Sequence, residues 1–179
     1  NGSTNTDSFT ITDPGAVAYT VAGGGGSNTL NLAGIANADV KLTNLGGTSV
    51  DGFESTKSLT FQQINKLSGG AGTNKLTGTN NPSTWVINDT TGNSAPNLSF
   101  SGFTSLTGGS DADTFLVQDN SSNTYSLAGG DGVDSFQFGL GNSLDKLTNN
   151  IAVDGGNDGA NLTLHDQADP SNNNYSLTA

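Results

Sequence analysis

The chain has 179 residues, of which 26 are glycine and 31% are hydrophobic, and it contains no cysteine and no methionine. Its formal net charge is −11, with five lysines and no arginine, so no basic patch for a nucleic-acid partner can be assembled. No apolar run approaches the length of a membrane span, which argues against membrane insertion of this segment. The length predicts one domain with a sizeable core.

Glycine-rich turns recur along the chain, and each is followed by a short alternation of polar and apolar residues. We call each such turn a corner and number its residues from the first one. Glycine adopts positive φ without a Cβ penalty, which suits a tight change of chain direction. In chain order the corners begin, about 22 residues apart on average, at Gly2, Gly23, Gly46, Gly69, Thr91, Gly108, Gly129 and Gly155.

The residues around each corner repeat the same chemistry. The sixth residue is Asp or Asn in six of the eight units. The eighth is Phe or Leu in all of them, and the alternation around it predicts a strand with one buried face. The strand before the corner repeats too, as in Tyr125 and Leu127 or Ile151 and Val153. The eighth-position residues are Phe9, Leu30, Phe53, Leu76, Leu98, Phe115, Phe136 and Leu162.

Units of this length without helix signals predict an all-β fold, a right-handed parallel β-helix (solenoid) of about eight coils with roughly 22 residues per coil. In such a solenoid the eighth-position residues form one unbroken, inward-facing ladder. Because Tyr175–Leu177 repeats Tyr125–Leu127, residues 1–179 are predicted to be a single β-helical segment excised from a longer array, with flanking repeats of the same chain as neighbours. A β-sandwich of hairpins is the structural alternative.

Some corners carry acidic residues that suit a hard cation. Gly129–Gln137 resembles in full the RTX nonapeptide, G-G-x-G-x-D-x-apolar-x, although RTX nonapeptides run in tandem and these recur once per longer coil. The resemblance implies Ca²⁺ held by backbone carbonyls and Asp carboxylates of successive coils, and Ca²⁺ prefers oxygen ligands. The alternative is that Asp or Asn only hydrogen-bonds the corner backbone. The candidate calcium ligands are Asp111, Asp113, Asp131 and Asp134.

Catalysis and sugar binding have weaker support in the sequence. Parallel β-helices include pectin-type lyases and glycosidases, and glycosidases need paired carboxylates. The single histidine, His165, is predicted to point to solvent. The pairs Asp51/Glu54 and Asp111/Asp113 are interpreted as corner residues and solvating charge. Trp85 is the one aromatic residue outside the main columns and is interpreted as a core or edge filler. We therefore predict no enzyme activity, and a polysaccharide-binding or polysaccharide-active β-helix is a second alternative.

Segments such as Phe100–Phe115 resemble the repeats of very large bacterial exoproteins, the filamentous-haemagglutinin-like adhesins and related β-strand-repeat surface proteins. This resemblance extends over nearly the whole chain. It implies a secreted or cell-surface location and a non-enzymatic, structural and adhesive role in attachment and biofilm. The implied partner is a host or matrix surface component, with polysaccharide among the candidates. The alternative function is a calcium-binding RTX-type module that folds after secretion.

Overall fold

The computed structural model of the chain describes residues 2–12, 15, 17–45, 47–140 and 143–170. All regular structure in these residues is β-strand, so no helix there is long and apolar enough to cross a membrane. The predicted corner at Gly46 and the repeat at Tyr175–Leu177 lie outside the described residues. The strands are β1 (Ser8–Thr10), β2 (Tyr19–Ala22), β3 (Thr29–Asn31), β4 (Asp39–Leu45), β5 (Val50–Glu54), β6 (Leu59–Ile64), β7 (Lys66–Ser68), β8 (Asn74–Thr77), β9 (Thr84–Asn88), β10 (Asn93–Ala95), β11 (Leu98–Ser101), β12 (Phe103–Gly109), β13 (Thr114–Asp119), β14 (Tyr125–Gly130), β15 (Asp134–Phe138), β16 (Ile151–Asp154) and β17 (Ala160–Leu164).

The strands form two sheets. Sheet A has nine strands in the order β1-β3-β7-β11-β10-β9-β13-β15-β17, and sheet B has eight in the order β16-β14-β12-β8-β4-β5-β6-β2. Most neighbouring strands are parallel, and four of the described pairs are antiparallel. Alternating burial along most strands places one face of each in the core. The predicted all-β fold is therefore confirmed.

The last six strands alternate strictly between the two sheets. From β12 to β17 each strand lies in the sheet opposite to the one before it. Each of the strands β12 to β15 pairs in parallel with the strand two elements later. Phe136 is in register with Phe115 on one side and Leu162 on the other. Leu127 is in register with Val153 in the other sheet. The predicted columns are thus confirmed in this part of the chain.

Two three-stranded meanders interrupt the alternation earlier in the chain. Strands β4, β5 and β6 run antiparallel within sheet B, and β9, β10 and β11 do so within sheet A. Their reversals use residues with positive φ, namely Ser58 (54°), Gly92 (106°) and Asn97 (60°). After each meander the chain returns to an earlier strand, because β6 pairs in parallel with β2 and β11 with β7.

The predicted unbroken ladder of eighth-position residues is wrong in its middle. Leu30 is in register with Leu67 instead of Phe53, which lies in the first meander and is 36% exposed. Leu76 lies in sheet B, beside Leu106. An alternating pattern fits a strand of either direction in either sheet, so the repeat period alone does not reveal that the chain folds back.

Aromatic side chains form the densest part of the core. Trp85 is 1% exposed and stacks on Phe115 with 5.8 Å between ring centroids, and Phe115 stacks on Phe136 at 5.0 Å. Trp85 is therefore a core filler and not an edge filler. The prediction that it lies outside the main columns is wrong, because it is in register with Phe115. Each such pair contributes about 0.5–1.5 kcal/mol beyond its buried area.

Candidate functional site

Buried Asp and Asn side chains occupy the sixth position of four corners. Each of these side chains uses its Oδ1 atom to accept a backbone N–H from a residue 21–36 positions earlier in the chain. The donors and distances are Asp7 to Asn28 (3.0 Å), Ala38 to Asn74 (2.7 Å), Ser83 to Asp113 (2.8 Å) and Asp113 to Asp134 (2.8 Å). The shared bond explains why these positions are Asp or Asn, because both supply the same acceptor.

The Asn and Asp side chains at these corners differ in their second terminal atom, which is Nδ2 in Asn and Oδ2 in Asp. Asn74 donates its Nδ2 to the carbonyl oxygens of Gly70 (2.7 Å) and Gly102 (2.8 Å). Asp113 and Asp134 have an oxygen, Oδ2, at the equivalent place, and an ionised carboxylate has no proton to donate. Both Oδ2 atoms are buried and accept no hydrogen bond of standard geometry from the described residues, although the backbone N–H of Gly109 lies close enough to the Asp113 carboxylate to lower its pKa. A buried polar atom in this state is costly unless a proton or a cation satisfies it.

Corner glycines leave just enough room for these oxygens. A Cβ atom added at Gly108 would lie 2.3 Å from Asp113 Oδ2 and 2.4 Å from the Gly129 carbonyl oxygen. A Cβ at Gly129 would lie 1.9 Å from Asp134 Oδ2. The Gly129 carbonyl oxygen therefore lies near Asp113 Oδ2, much as the Gly102 carbonyl oxygen lies near Asn74 Nδ2. Two oxygens that share one small space attract a positive charge.

Burial raises the pKa of both acids, Asp113 and Asp134. Removal from solvent raises the pKa of Asp113 to about 6, and the backbone hydrogen bond from Ser83 opposes the rise. Burial likewise raises the pKa of Asp134, against the lowering effect of its hydrogen bond from Asp113. Asp113 and Asp134 are thus the two acids of this site at which a proton or cation would relieve an unfavourable negative charge.

The structure separates the four predicted calcium ligands into two kinds. Asp113 and Asp134 are buried next to each other at the starts of the paired strands β13 and β15, so Asp113 is not a solvating charge. Asp111 and Asp131 are exposed on the turns, where Asp131 Oδ1 accepts a hydrogen bond of 3.0 Å from Asn157 Nδ2. Among the described residues, no three His, Cys, Asp or Glu side chains form a group that could hold a metal. Any cation here would depend on backbone carbonyls for most of its ligands.

Glu54 has a role that the sequence did not indicate. It is fully buried and accepts hydrogen bonds from the backbone N–H groups of Asp39, Thr56 and Lys57, and also from the Thr56 hydroxyl. The interpretation of Glu54 as solvating charge is therefore wrong. Its carboxylate ties the turn after β5 to the start of β4, and the only sequence signal is that it is the single Glu in the chain.

A second polar cluster joins the second meander to β14. Asp89 accepts hydrogen bonds from the Tyr125 hydroxyl (2.6 Å) and from the backbone N–H groups of Ser122 and Asn123 (both 2.9 Å). Tyr125 in turn accepts from Asn93 Nδ2 at 2.8 Å, and burial raises the pKa of Tyr125 well above its ordinary value. Every Asp89 oxygen is satisfied, so this cluster is structural. Residues 36 positions apart meet here, which spacing alone could not indicate.

Comparison with known proteins adds no family to this picture. No protein-family model, no curated protein and no solved structure matches the chain. The chemistry of the site therefore follows from its own geometry, which offers two stacked, buried carboxylates beside corner carbonyls. That arrangement can hold protons or a small cation.

Proposed function

We propose that the chain is a non-enzymatic structural and adhesive segment of a large secreted or surface-anchored bacterial protein. In this proposal the two sheets are the walls of a right-handed parallel β-helix, which the two meanders interrupt. The observation that carries the proposal is the column of side chains in register across successive parallel strands, from the buried Trp85, Phe115 and Phe136 to the exposed Leu162.

A column of this kind suits a mechanical role. Each coil contacts chiefly its neighbours, so stiffness is distributed along the stack and no single cavity concentrates the chemistry. Asp113 and Asp134 add hydrogen bonds from Ser83 and Asp113 alongside the apolar column. Both features support the proposal that the segment is extended and stiff.

The surface chemistry suits attachment outside the cell. The net charge of −11 keeps the outer faces soluble and discourages lateral association. The partner that we propose is a host or matrix surface component, polysaccharide included, together with flanking repeats of the parent protein. Nucleic acid is not proposed, since the chain contains five lysines and no arginine.

Attachment can be tested by displaying residues 1–179 on a non-adherent bacterium. We expect more cells to bind matrix-coated and polysaccharide-coated surfaces, and more biofilm, than with a strain that displays the anchor alone. Cell counts and crystal-violet staining measure the two effects. Attachment equal to that of the anchor-only strain on every surface would overturn the adhesive role.

A second candidate function is calcium binding after secretion, and the two unpartnered Oδ2 atoms favour it. A cation at the Gly108 and Gly129 corners would satisfy Asp113 Oδ2 and the Gly129 carbonyl oxygen together, and Asp134 Oδ2 lies one coil further on. In the absence of calcium, each ionised carboxylate is a buried charge that destabilises the fold. Calcium would then act as a folding ligand, because a ligand that binds the native state stabilises it by mass action.

We expect millimolar Ca²⁺ to raise the melting temperature of EDTA-treated protein at about pH 7.5 by roughly 5–10 °C, the shift for binding at about 100 times Kd. Without Ca²⁺, lowering the pH should also stabilise the protein. The folded pKa of Asp113, about 6, lies above its unfolded value, so the native state takes up a proton as the pH falls through 6. The calcium effect should shrink over the same range, since protons compete for the same oxygens.

The Asp113→Asn variant separates calcium binding from protonation. In EDTA at about pH 7.5 it should melt higher than the native chain, because its Nδ2 can donate to a corner carbonyl as Asn74 does. It should also lose most of the response to Ca²⁺. Asp145→Asn is the matched control, because it removes one exposed negative charge away from the corners and should leave both responses unchanged. A native melting temperature that is the same in Ca²⁺ and EDTA would rule out the calcium function.

A further inference from the structure

A groove on the outer face of sheet A contains many hydroxyl side chains and one cation, Lys66. It lies over strands β3, β7, β11 and β10 and the turn between β9 and β10, and its volume is about 410 Å³, within the range of small-ligand sites. Each of these four strands has a neighbour on both sides in the sheet. The hydroxyl side chains that line the groove are Thr29, Ser68, Thr91, Ser94, Ser99 and Ser101.

Strand pairing places the cation of this groove between two hydroxyl side chains. Lys66 is in register with Thr29 on one side and with Ser99 on the other. In the next row Ser68 is in register with Ser101, and the Ser101 hydroxyl donates to the Ser68 hydroxyl at 3.2 Å. Neighbouring strands lie about 5 Å apart, so a ligand that contacts Lys66 lies within reach of hydroxyls on both adjacent strands.

Charge is distributed unevenly between this face and the rest of the chain. The chain has 16 acidic residues, yet none of the described residues that line the groove is acidic. Among the described strands of sheet A, Lys66 is the one exposed charged residue, because Asp119 and Asp134 are buried. An anion in the groove would therefore meet a cation and no lining carboxylate, in a chain that is otherwise strongly acidic.

Protection of a sheet edge, a common reason for a lysine in a strand, does not explain Lys66. Its strand β7 lies inside the sheet, between β3 and β11. The Lys66 side chain is exposed and points away from the core, since its neighbour Leu67 is 1% exposed. An ammonium with three N–H donors, among hydroxyls that both donate and accept, matches a carboxylate on a hydroxyl-bearing ring.

We propose that this groove binds a glycan whose terminal sugar carries one carboxylate. Lys66 binds the carboxylate, and the serine and threonine hydroxyls exchange hydrogen bonds with the hydroxyls of the sugar. One cation suits one anion, whereas the net charge of −11 repels a chain that is anionic along its whole length. The proposal rests on the adhesive function, for which it names the chemical class of the partner.

Nuclear magnetic resonance titration of the isotope-labelled chain with sialyllactose, and with lactose as the uncharged counterpart, tests the proposal. We expect sialyllactose to shift the backbone amide signals of β7 and β11. We also expect it to bind about tenfold more tightly than lactose, the usual gain from a charge-assisted hydrogen bond. Equal affinities for the two sugars would overturn the proposal.

The Lys66→Gln variant should lose most of the preference for sialyllactose and keep its affinity for lactose, because glutamine donates hydrogen bonds but carries no charge. Ser99→Asp should have the same effect, since it places a carboxylate in register with Lys66. Lys75→Gln is the matched control, because Lys75 is an exposed strand lysine in sheet B and should leave both affinities unchanged. A preference that survives Lys66→Gln would overturn the assignment of the carboxylate to this groove.

Attachment of cells that display the chain separates this proposal from the adhesive function. If these cells attach to matrix-coated surfaces but the chain does not prefer sialyllactose to lactose, the groove proposal is overturned and the adhesive function stands. If the chain prefers sialyllactose but the cells attach to no surface, including one coated with sialyllactose, the adhesive function is overturned, and with it the part that the groove plays in attachment.

Discussion

The Phe136→Asp variant is expected to lose the cooperative fold of the second half of the chain. Phe136 is 1% exposed, stacks on Phe115 and is in register with Leu162. An aspartate there places an ionised group in the aromatic column and removes the stacking, at a combined cost of about 4 kcal/mol or more. Since a domain is typically stable by only about 5–15 kcal/mol, the melting temperature should fall by at least about 10 °C.

Phe136→Leu is the matched control for that experiment. Leucine already occupies the same column at Leu162, so the substitution creates only a small cavity and should cost roughly 1–2 kcal/mol. Far-UV circular dichroism with thermal melting distinguishes the two variants. If Phe136→Asp kept the native spectrum and melted within a few degrees of the native chain, Phe136 could not be buried as described.

Gly130→Ala is expected to cost more than Gly92→Ala, although the two glycines have nearly the same positive φ angle. Their φ angles are 105° and 106°. A Cβ at Gly130 would lie 2.1 Å from the Gly109 carbonyl oxygen, whereas a Cβ at Gly92 would meet nothing within 4 Å. The unfavourable φ alone should cost about 1–2 kcal/mol, and the clash at Gly130 should add about 1–3 kcal/mol.

The reason for the difference lies in the pairing of strands β12 and β14. Gly109 and Gly130 are in register, so the carbonyl oxygen cannot move without disturbing that pair. Chemical denaturation of both variants measures the two free energies of unfolding. Equal losses in the free energy of unfolding would mean that the positive φ alone requires glycine at residue 130. Strands β12 and β14 would then be less closely spaced at Gly109 and Gly130 than described.

The second half of the fold follows from the sequence better than the first half. From β12 to β17 strands two elements apart pair in parallel, so a local repeat predicts the register of these pairs. In the first half Leu30 pairs with Leu67, 37 residues later, because the chain folds back on itself in between. Alternation predicts the strands there, but their order depends on turns at residues such as Ser58 that have no strong sequence signature.

The sequence predicts which residues form the candidate site, but it does not predict the surroundings of their side-chain oxygens. The corner motif identifies Asp113 and Asp134, because Asp or Asn recurs at the sixth position in six of the eight units. That their Oδ2 atoms lie where Asn74 places a donor depends on how neighbouring parallel strands and their corners pack, which a single sequence does not specify. Glu54 was missed for a similar reason, since one of its three backbone donors, the N–H of Asp39, reaches it only when the first meander forms.

The first meander also imposes an order on assembly. In the described part of sheet B, strand β2 has one neighbour, β6, which begins 40 residues after β2 does. A chain that emerges with its amino terminus first must therefore leave β2 unpaired until Leu59–Ile64 has appeared, and closing that long loop slows the first contact. Strands β12 to β17 have no such delay, because each extends an edge that already exists. Growth of the stack is thus slow to start and then proceeds one strand at a time.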